Sequence, residues 1–310
     1  MKTLEQAYQE FNFDQFLAEQ LVGTPQAINA YVECCERHLG LNKIALIWEG
    51  KNGESAEWTF EQLADASGKL AHYFTSLGLK AGDCVAGLLP RTPELLITIL
   101  ATWRMGAIYQ PLFTAFESKA IEHRINTAKT RLIVTNEEQR PKLNSVDVPH
   151  ILTVYQQNTL SQQDDDFWTE LIKQSSVFEP VMQTFKDDFL MMFTSGTTGL
   201  AKSVPVPLKA VLAFKGYMTY AVDLRAEDSF WNLADPGWAY GLYYGITGPL
   251  SLGHSIIMDE RAFSVDHAVQ IIKKYKVSNL TGSPTAFRMF FGFKEKFDPS
   301  IKAHLRVVSS

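Results

Sequence analysis

The chain has 310 residues, 46% of them apolar and 20% charged, with a net charge of −5 and a pI near 5.8. These values describe an ordinary globular chain, long enough for one large α/β domain or two smaller ones, and they exclude a disordered or fibrous protein. No basic field is present to attract nucleic acid or an anionic membrane, and the longest apolar run, Leu95 to Trp103, is far too short for a membrane span.

Cys34, Cys35 and Cys84 give neither a disulfide framework nor a metal-ligand spacing, and the first ten residues lack the apolar core of a signal peptide. A reducing, cytoplasmic setting is the expectation.

Met1 to Asn42 reads as mostly helical, with weak patterning. Ile44–Trp48 is predicted to be a strand, Asn52-Gly53 is a tight-turn signal, and Glu57-Trp58 returns as the second arm of a hairpin. Thr59 opens the clearest helix. Gln62 completes a capping box, and Phe60, Leu63, Ala64, Ser67, Leu70, Ala71, Phe74 and Leu77 recur at helical spacing until Gly78.

Cys84–Leu89 is a strand, and Thr92-Pro93-Glu94 caps a second helix running to about Met105. Ala107–Tyr109 is a strand, Ser118 begins a third helix buried through Ile121 and Ile125, and Leu132–Val134 is the next strand. Such alternation predicts mainly parallel sheets flanked by helices. From Gln156 to Asp188 the chain turns polar, with Asn158–Asp166 as an exposed loop inside a seam between two halves, 1–184 and 185–310.

The second half resumes with strands at Phe189–Phe193 and Val204–Val206, a helix at Leu208–Tyr220 and a strand at Phe230–Leu233. Residues 238–250 are helix-like, Ser255–Met258 is a strand, and Ser264 caps a helix carrying Val265, Ala268, Ile271, Ile272 and Tyr275. Val277–Leu280 is a strand, Pro284–Phe291 a helix and Leu305–Val308 a last strand. Ligands of open α/β sheets bind beyond the carboxyl ends of strands. Ser310 falls at such a point with no closing helix, so the architecture predicts a chain that continues; an edge strand is the plainer alternative.

The stretch with the clearest chemistry is Thr194-Ser195-Gly196-Thr197-Thr198-Gly199, followed by Lys202. Small hydroxyl residues, unshielded amides and one mobile ammonium suit a polyanion such as a nucleotide triphosphate. A polar surface turn is the plain alternative, but turns rarely need six small residues in succession. The run comes within one residue of a P-loop, with Ala201 where that loop needs glycine. A P-loop must also lead into a helix, whereas Pro205 and Pro207 would break one and suit an edge strand. The loop therefore joins two strands, and a P-loop NTPase is excluded.

A glycine–hydroxyl loop between strands, followed by lysine, resembles the T-S-G-T-T-G-x-P-K signature of the adenylate-forming ligases, which include acyl-CoA synthetases and peptide-synthetase adenylation domains. Ala201, Ser203 and Pro207-Leu208 depart from the usual pattern. The resemblance extends through Trp58–Leu63, Leu77–Val85, Arg104–Pro111, Phe113–Phe116, Ala120–Arg124, Asp235–Trp238, Gly248–Leu250 and Ser283–Arg288. The last segments are most similar to short- and medium-chain acyl-CoA synthetases.

The resemblance implies an α/β fold of two stacked, mainly parallel sheets flanked by helices, forming an incomplete large N-terminal domain without the family's C-terminal lid domain. It implies activation of a carboxylic acid by ATP with Mg²⁺, then thioester formation with CoA. Thr194, Ser195, Gly196, Thr197, Thr198, Gly199 and Lys202 would hold the ATP phosphates, and Trp238, Ala239, Tyr240 and Gly241 would line the acyl pocket. For Trp238, a core tryptophan at a helix start is the other reading. No metal ligand and no catalytic residue is assigned in this chain, and no role is given to any of its seven histidines.

The family's adenine segment and catalytic lysine would lie beyond Ser310, so the isolated chain is expected to be inactive. Two alternatives stand beside this reading: a peptide-synthetase-type adenylation domain, or a non-catalytic nucleotide-binding derivative.

Overall fold

The capping box forms as its spacing predicts: Thr59 accepts from the Gln62 amide, and the Gln62 side chain accepts from the Thr59 amide. The helix it starts, Phe60–Ser76, lies against the helix Pro93–Arg104, which is buried on every side and so tolerates apolar residues all round. The computed structural model describes residues 3–155, 164–194, 199–293 and 299–310. Among them no helix is long and apolar enough to cross a membrane.

The strands in chain order are β1 (Ile44–Glu49), β2 (Ser55–Thr59), β3 (Cys84–Leu88), β4 (Ile108–Pro111), β5 (Leu132–Asn136), β6 (His150–Val154) and β7 (Asp165–Asp166). They continue as β8 (Asp188–Thr194), β9 (Lys202–Pro207), β10 (Phe230–Asn232), β11 (Ile256–Asp259), β12 (Asn279–Thr281) and β13 (Val307–Ser309). Seven form one sheet in the order β7-β6-β5-β3-β4-β8-β9, parallel except for the last pair. The remaining strands form two short sheets, β11-β1-β2 and β10-β12-β13. Strands from either side of residue 184 share sheets: β8 lies beside β4, and β11 beside β1.

Alternating side chains explain the layers. On one face of the large sheet, Val85, Tyr109 and Phe189 meet Phe60, Phe74 and Trp103 of the two long helices. On the other, Ala86, Leu88 and Ile133 meet Ile121 and Ile125 of the helix Ser118–Ala128. In the β10-β12-β13 sheet, Trp231 and Leu280 face the helix Val265–Lys274. Phe230 faces the opposite way, onto Met218 and Val222.

The structure differs from the sequence reading in detail. β6, β7 and the helices Phe167–Leu171 and Pro299–His304 have no counterpart in it, and Thr92 precedes its helix without a side-chain cap bond. Part of the expected Asn158–Asp166 loop, 158–163, lies outside the described residues; its end, Asp165–Asp166, is β7. The helix-like stretch 238–250 is Ala239–Leu242, a π-helical turn at Tyr243–Thr247, then Gly248–Ser251.

Candidate active site

The glycine–hydroxyl run does join two strands. β8 and β9 form an antiparallel hairpin, with Thr194 opposite Lys202 as the last pair before the connection. Ser195, Gly196, Thr197 and Thr198 lie outside the described residues. Gly199 has φ of +93°, a left-handed backbone that suits glycine, and Lys202 is exposed. Pro205 and Pro207 stand on the outermost strand of the sheet, where their missing amides cost no internal hydrogen bond.

His123 holds the exit of the loop: its Nε2 is 2.8 Å from the Ala201 carbonyl, one residue before Lys202. A carbonyl only accepts, so the geometry requires the proton on Nε2. The neighbouring Arg124 sits over the Phe116 ring at 4.1 Å and the Phe193 ring at 5.6 Å. Phe116 and Phe113 in turn meet Trp238, with ring centroids 5.6 and 5.5 Å apart. A continuous surface thus runs from the hairpin through Arg124 and Phe116 to the residues expected to form an acid pocket.

Trp238 is about half exposed, at 47%, and so is not a core tryptophan. Gly241 is buried, and a Cβ there would overlap the Asp235 carbonyl, which lets the helix start settle onto the preceding turn. Asp235 accepts from the Gly237 amide at 2.8 Å and lies 3.9 Å from Arg91. Burial raises its carboxyl above the usual range, although Arg91 opposes the shift. Burial, followed by the neighbouring Tyr217, pushes the Tyr240 phenol up to about 12.

Lys202, Arg124 and Arg91 place positive charge along these segments, with the Asp235 carboxyl beside Arg91. Among the described residues no group of three His, Cys, Asp or Glu side chains could hold a metal ion. His123, Arg124, Phe113 and Phe116 fall within segments that carry the family resemblance. Their meeting depends on the fold, and no periodicity announces it.

Residues 34–310 match the model of the AMP-binding enzyme family, and the chain belongs to that family. The acetyl-coenzyme A synthetase of Streptomyces coelicolor is 32% identical over 91% of this chain and 48% of its own length. That of Bacillus subtilis is 28% identical over 94% of this chain and 52% of its own. A crystal structure of a Brucella canis acyl-CoA synthetase superimposes with a TM-score of 0.93 at 46% identity, covering 100% of this chain and 57% of that one. The chain spans about half the length of the curated relatives it matches.

Proposed function

We propose that this chain supplies the phosphate-binding and acid-binding surfaces of an acyl-CoA synthetase. A carboxylate oxygen attacks the α-phosphorus of ATP, the bond to the β-phosphate oxygen breaks, and pyrophosphate leaves. The CoA sulfur, having lost its proton, then attacks the acyl carbon, and AMP departs with the carbon–oxygen bond's electrons. The hairpin closed by Thr194 and Lys202 carries the reading.

Thr194, Ser195, Thr197 and Thr198 would donate hydroxyls to the β- and γ-phosphates, Gly196 and Gly199 would admit them to the backbone, and Lys202 would offset their charge. Trp238, Ala239, Tyr240 and Gly241 would receive the acid. Mg²⁺ would arrive with the nucleotide and neutralise phosphate charge. Division at residue 184 and a cytoplasmic setting belong to the same proposal. The three cysteines are buried and free, and burial pushes the Cys34 thiol up to about 12, which leaves it inert.

The test is ATP–pyrophosphate exchange by the full-length gene product with acids from acetate to decanoate and benzoate. Lys202→Ala should raise the ATP concentration for half-maximal exchange about tenfold or more, the scale of one charged hydrogen bond. Exchange with no acid, or an unchanged ATP requirement in Lys202→Ala, defeats the reading.

A further inference from the structure

The last residues of β10, β12 and β13 stand side by side: Asn232 opposite Thr281, and Thr281 opposite Ser309. All three strands are parallel, so this row is the carboxyl edge of the sheet, where open α/β folds bind ligands. Each residue of the row can form hydrogen bonds. Asn232 is 8% exposed and Thr281 0%. Yet the Asn232 Nδ2, the Thr281 Oγ1 and the Ser309 Oγ have no hydrogen-bond partner among the described residues. Asn232 is oriented, since its Oδ1 accepts from the Ala234 amide at 2.8 Å, which leaves the NH₂ pointing away from its own backbone.

The row faces the acid-binding helix. Phe230, two residues before Asn232, packs on Met218 and Val222, so Asn232 shares that face and Trp231 takes the other. A Cβ on Gly245 would lie 3.3 Å from the Asn232 side chain. The Tyr240 phenol stands beside the Ser309 hydroxyl without meeting hydrogen-bond geometry. From Tyr240 the surface continues through Trp238 and Phe116 to the phosphate hairpin.

A buried donor without an acceptor is costly and rare in a folded protein. Three in register at a strand edge make a wall complementary to an oxygen atom rather than to an alkyl chain. We propose that the acid activated here carries a hydroxyl or carbonyl oxygen on its chain, and that Asn232, Thr281 and Ser309 receive that oxygen. This rests on the adenylation reading and adds the substrate class to it. A site built for hydrogen bonding rejects an analogue that lacks the group far more strongly than an apolar pocket rejects a methylene.

The experiment is pyrophosphate exchange by the full-length gene product with pairs of acids in which a hydroxyl replaces a methyl: lactate against isobutyrate, 3-hydroxybutyrate against 3-methylbutyrate, 4-hydroxyvalerate against 4-methylvalerate. The oxygenated member of at least one pair should be preferred tenfold or more in kcat/KM. Thr281→Val, which keeps the side chain's shape, should bring that ratio within threefold of one without lowering Tm. Alkyl acids equal to or better than their partners in every pair overturn the inference while leaving adenylation standing; a row that holds only a buried water gives this result. A Thr281→Val variant that keeps the preference, or that loses several degrees of Tm, also overturns it. Exchange with no acid at all removes adenylation and the inference together.

Discussion

The junction around Glu33 and the strand edge around Thr281 enclose polar side chains equally and treat them oppositely. Glu33 accepts from the Val22 and Gly23 amides at 2.9 and 2.8 Å, from Arg37 at 2.8 Å and from Lys215 at 2.9 Å. Lys215, itself fully buried, also donates to the Gln20 carbonyl. Every oxygen of that carboxylate is used, and the cluster ties the N-terminal segment to the helix Ala210–Gly216. At Thr281 the same burial comes with no hydrogen-bond partner among the described residues. A polar group fully met by its own chain is architecture, whereas one left without a partner calls for an explanation.

The largest blow to that contrast is Lys215→Ala, which strips a partner from an enclosed carboxylate. Urea denaturation should show a loss of about 3–5 kcal/mol. A loss indistinguishable from that of a surface substitution would mean that Arg37 and the amides suffice.

Acid should probe the same cluster. Burial alone would raise the Glu33 carboxyl, but Lys215, the Gly23 amide and Arg37 outweigh it and hold the group below its ordinary range. A carboxyl lowered by folding adds stability above its unfolded value and loses it as pH falls through the folded one. The stability gap between the protein and Glu33→Gln should therefore be full at pH 7 and narrow below about pH 4. A constant gap on urea titrations from pH 7 to 3 would count against the assignment.

Two threonines give the finer comparison. Thr135, in β5, is as buried as Thr281, but its hydroxyl donates to the Leu88 carbonyl at 3.1 Å. Thr135→Val should cost about 1 kcal/mol, because it removes a made hydrogen bond. Thr281→Val should cost nothing and register as a slight gain in Tm, since it removes a polar atom with no partner among the described residues. Equal losses at the two positions would erase the distinction.

The alternation of strands and helices was legible because long amphipathic runs with caps, such as Phe60–Ser76 and Val265–Lys274, declare their period. The hairpin was legible too, since Pro205 and Pro207 ruled out a helix after the loop. β7 was not: two aspartates carry no strand pattern, and only pairing beside β6 makes them one. The row of polar side chains at the edge of β10, β12 and β13 escaped for a related reason. Asn232, Thr281 and Ser309 lie on three strands far apart in sequence, and only strand order makes them neighbours. His123 stood inside a family segment, but its bond to Ala201 appears only once the helix Ser118–Ala128 is laid against β9.

The prolines of β9 have an effect at the level of many molecules. A strand laid along that outer edge would find carbonyls, but no amide at Pro205 or Pro207. Edge-to-edge pairing, the route by which exposed sheets aggregate, is blocked there. The hairpin's outer strand can thus remain uncovered in a crowded solution without recruiting a second copy.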